Sequence, residues 1–199
     1  MAFLRSGVYS EVAPTLYGQK VFLRTPQMAD FTVWSELRSD SRDFLAPWEP
    51  KWNVDELTRS SFRRRIRHYH KEIRDDNGYA FFIFDLCDTK LLGGVTLNNV
   101  RRGVTQSCTI GYWIGEPYAN QGYMSDALTA IIPFVFDTLG LHRLEAACLL
   151  TNAASVRILE KAGFQREGVA RRYLRINDIW QDHLLYALLT SDPWRELGR

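Results

Sequence analysis

The most constraining feature of this sequence is a predicted strand that enters a long helix through a short polar turn. Residues 110–115 (IGYWIG) are apolar and aromatic, residues 116–122 (EPYANQG) are mostly polar, and residues 123–139 are predominantly apolar. Such a connection leaves the first N–H groups of the helix without intrahelical partners, and the helix dipole adds positive charge there. The turn is therefore a candidate phosphate or pyrophosphate site, and Gly122 would let the phosphate approach the backbone. It is neither a P-loop nor a GxGxxG motif, which leaves no basis for nucleotide hydrolysis or dinucleotide-dependent reduction.

The elements around this unit predict a mixed α/β sheet within one domain. We expect strands at 20–25, 79–84, 91–97, 106–114, 144–149, 173–176 and 183–189, and helices after Pro26 and at 55–74, 123–139 (kinked at Pro133) and 152–161. Two prolines predict a stiff loop over residues 43–50 that exposes Trp48 and Glu49. Residues 1–19 are expected to be an irregular lead-in, residues 20–190 the domain, and residues 191–199 a C-terminal tail.

Composition excludes several classes of protein. The 199 residues are 46% hydrophobic and 24% charged, which excludes a disordered chain, a collagen and a disulfide scaffold. The formal net charge of +2 does not by itself indicate a nucleic-acid-binding protein. Cys87, Cys108 and Cys148 lie far apart without metal-ligand spacing, so no metal site is expected. No apolar run is long enough for a signal peptide or a membrane span, which predicts a soluble, cytoplasmic protein.

A second strand–helix unit follows, and together the two units resemble a known family. Residues 144–149 form a predicted strand, Asn152 is placed to cap the next helix, and Gly163 is placed to end it. This order of motifs over residues 20–189 resembles the GCN5-related N-acetyltransferases (GNAT). Residues 44–50 (FLAPWEP) and 180–183 (WQDH) resemble the RimJ/RimL-type ribosomal-protein-alanine N-acetyltransferases.

The resemblance implies a fold and a cosubstrate. The fold is a single-domain GNAT fold, with a mixed, mostly antiparallel central sheet flanked by helices and two strands splayed at the cofactor site. The cosubstrate is acetyl-CoA, with no metal. Main-chain groups of Trp113, Ile114 and Gly115 would bind the pantetheine arm. The pyrophosphate would be held by residues 119–124, among them Asn120, Gln121, Gly122, Tyr123 and Met124.

The phosphate turn departs from the usual family pattern, which is Gln/Arg-x-x-Gly-x-Gly/Ala. Only Gly122 matches it strictly, because Ala119 and Met124 replace the first and last residues of the pattern. Backbone amides can still hold an anion at this turn. We therefore expect weaker or differently shaped phosphate contacts.

Release of the CoA thiol requires a proton donor, and the resemblance points to Ser155. Many relatives use a tyrosine further along this helix, where Leu159 stands here. Asn152 would orient the cofactor or a site water. The alternative for both Asn152 and Ser155 is simple helix capping.

The acceptor predicted from the resemblance is the N-terminal α-amino group of a protein, such as a ribosomal protein, acetylated by direct transfer. A peptide α-amine has a pKa of about 7.7–8.0, so a modest base suffices to deprotonate it. Glu49 is the candidate base, acting directly or through water, and its alternative is a solvated loop carboxylate. Trp48 either forms a wall of the acceptor groove or packs on the core. An acetyltransferase for a small amine, an antibiotic or a lysine is the alternative enzyme.

The second predicted helix carries many cations, which leaves a different class of function open. They are Arg59, Arg63, Arg64, Arg65, Arg67, Lys71 and Arg74. Such a run is usually a solvated helix face. It could instead attract ribosomal RNA or an acidic protein, with Arg101 and Arg102 adding to the patch, and the chain would then be a ribosome-associated binding or assembly factor. The oligomeric state does not follow from the sequence.

Overall fold

An eight-stranded mixed sheet runs through the computed structural model, which describes residues 13–87 and 89–196. The sheet order is β1-β2-β3-β4-β5-β6-β8-β7, and every neighbouring pair is antiparallel except β5–β6, which is parallel. The strands are β1 (Leu16–Tyr17), β2 (Val21–Arg24), β3 (Tyr79–Asp85), β4 (Leu91–Arg101), β5 (Ser107–Ile114), β6 (Arg143–Leu149), β7 (Gln165–Ile176) and β8 (Ile179–Leu189).

Helices cover both faces of this sheet, which confirms the predicted fold class. They are α1 (Phe31–Asp40), α2 (Arg42–Leu45), α3 (Arg59–Arg74), α4 (Tyr123–Pro133) and α5 (Ala153–Lys161). One core lies between the sheet and helices α4 and α5, and a second, smaller core lies under α1 and α3. In the smaller core the fully buried Phe62 ring lies 4.7 Å from the Trp34 ring. No helix in the described ranges is long and apolar enough to cross a membrane.

Several predicted boundaries of helices and strands were wrong. The first 19 residues are not irregular throughout, because Leu16 and Tyr17 pair with β2, whereas residues 1–12 lie outside the described residues. Helix α3 begins at Arg59 rather than at residue 55, because the Thr58 Oγ1 caps it by accepting from the Ser61 N–H at 3.2 Å. The C-terminal hairpin is much longer than predicted and spans residues 165–189.

Prolines shape two further segments differently from the prediction. The α-helical part of the predicted 123–139 helix ends at Pro133, and a π-helical turn (Phe134–Thr138) follows it instead of a kinked α-helix. The predicted loop at 43–50 contains the end of α2 and a 3₁₀ turn (Ala46–Trp48), so it is a chain of short helical turns. In the C-terminal tail, Trp194 packs on Phe136 with ring centroids 5.2 Å apart.

Among the described residues, β5–β6 is the one parallel strand pair, and the sheet has a gap between these two strands. Residues 107–110 of β5 pair with residues 143–146 of β6, and the pairing then stops. Beyond it β5 stays paired with β4 as far as Ile114, and β6 stays paired with β8 as far as Leu149. The two strands therefore diverge at Gly111, and the predicted splay is present.

Candidate active site

Four connected depressions meet at the β5–β6 gap. The loop cavity, of about 360 Å³, lies between residues 118–125 and helix α5. The gap cavity, of about 180 Å³, lies between Trp48, Tyr112 and Ser155. The aromatic cavity, of about 520 Å³, contains Trp52 and Trp113, and the distal groove, of about 320 Å³, lies along residues 143–147 of β6. Each depression shares lining residues with the next, so the four adjoin one another along the gap, and this row of depressions is called the passage below.

The loop cavity has the properties of an anion site. Gly122 precedes α4 with φ +84°, a left-handed conformation that favours glycine, and the first N–H groups of α4 follow it. Arg157 and Lys161 line the cavity, and a Cβ placed on Gly122 would lie 3.9 Å from the Lys20 Nζ. No acidic residue is among the described residues that line it. These cations supply positive charge beside a turn that has Ala119 in place of the usual Gln or Arg.

The structure brings together most of the residues predicted to bind the cofactor. Those that line the loop cavity or the gap cavity are Trp113, Ile114, Asn120, Gly122, Tyr123, Met124, Asn152 and Ser155. Gln121 does not line either cavity, because its Nε2 donates to the Pro117 carbonyl at 2.7 Å and so closes the turn. The Gly115 N–H donates to the Leu92 carbonyl at 2.8 Å, so this donor is already used within the fold.

A pair of hydroxyl groups lies at the centre of the passage. The Ser155 Oγ lies 2.6 Å from the Tyr112 Oη, and Ser155 is buried. Burial raises the pKa of the Tyr112 phenol well above its usual value, although its hydrogen bond with Ser155 opposes this shift. The Tyr112 hydroxyl therefore keeps its proton throughout the neutral pH range. Tyr112 is a site residue that the sequence did not single out.

The helix that carries Ser155 also confirms the capping interpretation of Asn152. The Asn152 Oδ1 accepts from the Ser155 N–H at 3.0 Å, and this bond fixes the start of α5 beside the gap. Leu159 is part of the core and does not line the gap cavity. Cys148 is buried on the neighbouring strand, where burial raises the pKa of its thiol, so this group is poorly suited to act as a thiolate nucleophile.

Glu49 is not the solvated loop carboxylate considered as an alternative. Its two oxygens accept from the Arg38 Nη1 and Nη2, both at 2.7 Å, and Oε2 also accepts from the Trp52 Nε1 at 2.7 Å. Arg38 is buried, and its guanidinium carbon lies 4.3 Å from the Trp52 ring centroid and 4.9 Å from the Trp113 centroid. A carboxylate has about four acceptor positions, so the three donors leave one for a substrate or a water.

The hairpin turn between β7 and β8 reinforces this side of the passage. The Asn177 N–H donates to the Glu49 carbonyl at 3.1 Å, and the Lys51 Nζ lies 3.0 Å from the Asp178 Oδ2. Trp48 is 37% exposed and lines the gap cavity, so it is not a core residue. The segment with Trp48 and Glu49 is thus held by contacts from distant parts of the chain.

Several site residues carried weak signals in the sequence. Alternation along β5 would have placed Tyr112 on the same face as Ile110 and Ile114. Arg157 and Lys161 are four residues apart on α5 and therefore share a face. Arg38 lay in a predicted helix without any signal that it would meet Glu49.

Most cations of α3 are exposed, and some of them are also ion-paired. Arg64 and Arg65 pair with Asp55 and Glu56, Arg74 pairs with Asp75, and Arg65 also lies over the Trp34 ring. The exposed residues are Arg59, Arg63, Arg64, Arg67, Lys71 and Arg74. Arg102 does not extend this patch as a free cation, because it binds Asp76 and the Leu139 carbonyl. Within residues 13–87 and 89–196, no group of three or more His, Cys, Asp or Glu side chains is placed to hold a metal ion.

Comparison with known proteins identifies the class. The acetyltransferase (GNAT) domain model matches residues 20–165. A probable N-acetyltransferase of Bacillus subtilis, YjcK, is 35% identical over 177 residues, which cover 89% of this chain and 98% of that protein. The [ribosomal protein uS5]-alanine N-acetyltransferase of Escherichia coli is 34% identical over 165 residues, which cover 82% of this chain and 85% of that protein.

The structural comparison agrees with these relatives. The RimJ protein of Mycobacterium smegmatis, solved in complex with CoA-disulfide, superposes with a TM-score of 0.82 and 31% identity, covering 94% of this chain and 89% of that one. The chain therefore belongs to the GNAT family and is an acyl-CoA-dependent N-acetyltransferase, related to the ribosomal-protein alanine acetyltransferases.

The Glu49–Arg38 pair predicts a specific effect on stability. Glu49→Ala leaves the buried Arg38 guanidinium without its counter-charge, and we expect the free energy of unfolding to fall by about 3 kcal/mol. Asp55→Ala is the matched control, because its ion pair with Arg64 is half-exposed and is expected to contribute less than about 1 kcal/mol. Urea denaturation measures both. Equal losses in the two variants would show that Glu49 has no special structural role.

Proposed function

We propose that this acetyltransferase moves the acetyl group of acetyl-CoA directly to the N-terminal α-amine of a polypeptide, and that the natural acceptor is a ribosomal protein. The observation that carries the proposal is the passage, the row of adjoining depressions along the β5–β6 gap that extends from the turn at Gly122 to the aromatic cavity. The related E. coli enzyme is named a [ribosomal protein uS5]-alanine N-acetyltransferase.

The loop cavity would hold the phosphate end of acetyl-CoA. The first N–H groups of α4 and the cations Lys20, Arg157 and Lys161 would bind the pyrophosphate, and the inner edge of β5 at Trp113 and Ile114 would bind the pantetheine arm. This arrangement directs the thioester into the gap cavity, beside Ser155. The charge of the three cations offsets the loss of the usual Gln or Arg at position 119.

The acceptor amine would enter from the aromatic cavity. It attacks the thioester carbonyl carbon, a C–N bond forms, and the C–S bond breaks. Ser155 donates its hydroxyl proton to the departing thiolate and regains a proton from water, while the Tyr112 hydroxyl keeps its own proton and holds the Ser155 Oγ in place by a hydrogen bond. The proton lost by the amine passes to water held at the remaining acceptor position of Glu49. Positioning of the two substrates across the gap provides most of the rate enhancement.

A binding function in ribosome assembly is the second candidate. One specific observation favours it: Arg59, Arg63, Arg67 and Lys71 form an exposed stripe at i, i+4 spacing along α3. Like charges at this spacing destabilise a helix slightly, so a polyanion such as ribosomal RNA would stabilise the stripe when bound.

The loop cavity predicts selective loss of CoA binding in one glycine variant. CoA at 100 times its Kd should stabilise the wild-type protein by about 2.7 kcal/mol, which raises its Tm by several degrees. Gly122→Ala should weaken CoA binding. Gly140→Ala is the matched control, because Gly140 also has a left-handed φ of +64° but lies outside the cavity. Thermal-shift titration and calorimetry test this, and a wild-type protein that shows no shift at millimolar CoA contradicts the proposed site.

The hydroxyl pair predicts a loss of turnover with a defined pH profile. Ser155→Ala should lower kcat by about 10²-fold without changing the Kd for CoA, and Tyr112→Phe should cause a smaller loss. Because burial raises the pKa of Tyr112, kcat/KM should rise with pH as the acceptor amine deprotonates near pH ~8 and should not fall again before pH ~10. Unchanged turnover in Ser155→Ala would refute its role as the acid.

The acceptor class predicts the outcome of a CoA-release screen. At pH 7.5, peptides with a free N-terminal Ala or Ser should exceed N-terminally blocked lysine peptides by about 10²-fold in kcat/KM, because far more of the α-amine is neutral. Direct transfer should give ternary-complex rather than ping-pong kinetics. A polyamine, an aminoglycoside or the lysine peptide as the best acceptor would contradict the proposal. Salt-dependent RNA binding without acetylation of any amine would favour the assembly factor.

A further inference from the structure

Four glycines lie in strands β4 and β5 or directly after β5, and three of them have a steric reason. A Cβ on Gly93 would lie 2.3 Å from the Trp113 carbonyl oxygen, and one on Gly94 would lie 2.6 Å from the Trp113 Nε1. A Cβ on Gly115, just after β5, would lie 2.4 Å from a Leu37 methyl group. At Gly93 the close atom is a backbone oxygen, and at Gly94 and Gly115 the Trp113 or Leu37 side chain would have to move, so packing favours glycine at all three positions.

Gly111 has no such reason. A Cβ built on it meets no heavy atom of the described chain within 4 Å, and its φ is not positive, so an L side chain fits both the space and the backbone. Glycine in the interior of a strand weakens the strand, and it often marks a position where a ligand or another backbone passes closely. The fold tolerates this weak point without any gain in packing.

The location of Gly111 connects it to the acceptor. It is the first β5 residue beyond the pairs with β6, and it lines both the aromatic cavity and the distal groove. Strand alternation places position 111 on the same face as Trp113 and on the opposite face from Tyr112. A chain that leaves the reaction centre along this face must cross Gly111 to reach the distal groove.

The distal groove fits a polypeptide segment. Asn98, Thr109 and Tyr173 line it with polar groups. Arg143 forms ion pairs with both Glu145 and Glu167. Among the described residues that line the groove, Arg143 is the only cation and these two glutamates are the anions, so the groove carries a net negative charge. It therefore complements a segment with a basic side chain. A small amine would reach the gap cavity without using any of this surface.

We infer that Gly111 is the crossing point over which the acceptor backbone passes from the reaction centre into the distal groove, and that the groove binds the residues that follow the acetylated one. This inference rests on the proposed function and makes Gly111 a specificity-determining residue for polypeptide acceptors. A side chain at position 111 would project into the path of the peptide.

The experiment compares Gly111→Ala and Gly111→Val with Gly103→Val. Gly103 is a matched control, because it is exposed, has no positive φ, and has no heavy atom within 4 Å of the position that a Cβ would take. It lines neither the aromatic cavity nor the distal groove. Each protein is assayed with a six-residue peptide that has a free N-terminal alanine and a lysine near it, and with alaninamide. CoA affinity and Tm are measured in parallel.

We expect Gly111→Val to keep or raise the Tm, to leave the Kd for CoA unchanged, and to raise the KM for the hexapeptide by about tenfold or more with little change in kcat. Gly111→Ala should lie between Gly111→Val and the wild type. The KM for alaninamide should change little, and Gly103→Val should match the wild type throughout.

Two results would overturn the inference. One is an unchanged hexapeptide KM in Gly111→Val. The other is an equal loss with alaninamide and hexapeptide, which would place the effect at the reaction centre. Failure of the proposed function gives a different result from failure of this inference. In that case the wild-type protein would acetylate neither the hexapeptide nor alaninamide.

Discussion

Every part of the candidate site depends on how far β5 and β6 remain hydrogen-bonded to each other. The two strands form four parallel pairs, and beyond Ile110 and Ala146 each remains paired only with its outer neighbour. Their inner edges then face a cavity, and strand pairing does not satisfy the polar groups along those edges. Acetyl-CoA and an acceptor backbone both carry amide groups that can take this place. The end of the β5–β6 pairing therefore creates the space in which the candidate active site lies.

One strand presents different side chains to the cavities proposed for the two substrates. Alternation along β5 directs Tyr112 and Ile114 to the face of α4 and α5, where the loop cavity lies, and directs Gly111 and Trp113 to the other face. Helix α5 contributes Ser155 from beyond the gap, held in place by the Asn152 cap. Because these groups are on strands and a capped helix, little freedom remains for the reacting atoms.

The proposed acceptor side is built from contacts between distant segments. Glu49 lies between Pro47 and Pro50 in a segment with short helical turns, yet it binds Arg38 on α1 and Trp52, and its carbonyl accepts from the tip of the β7–β8 hairpin. The prolines correctly indicated a segment that is not one continuous helix. They carried no information about its partners, and so a solvated carboxylate was a reasonable expectation for Glu49 from local sequence.

Local chemistry in the sequence determined most of the elements, the cap at Asn152 and the turn at Gly122, because caps, turns and hydrophobic periodicity act within a few residues. The family resemblance added the splay, the cosubstrate and the candidate hydroxyl of Ser155. Only the tertiary structure decided that Tyr112 meets Ser155, that Arg38 holds Glu49, and that Lys20 lies beside the phosphate turn. Each of these contacts joins residues at least 11 positions apart in the chain, with separations of 43 for Tyr112–Ser155 and 11 for Arg38–Glu49. Such contacts depend on strand order and register, which the pairing of the whole sheet sets and no local pattern encodes.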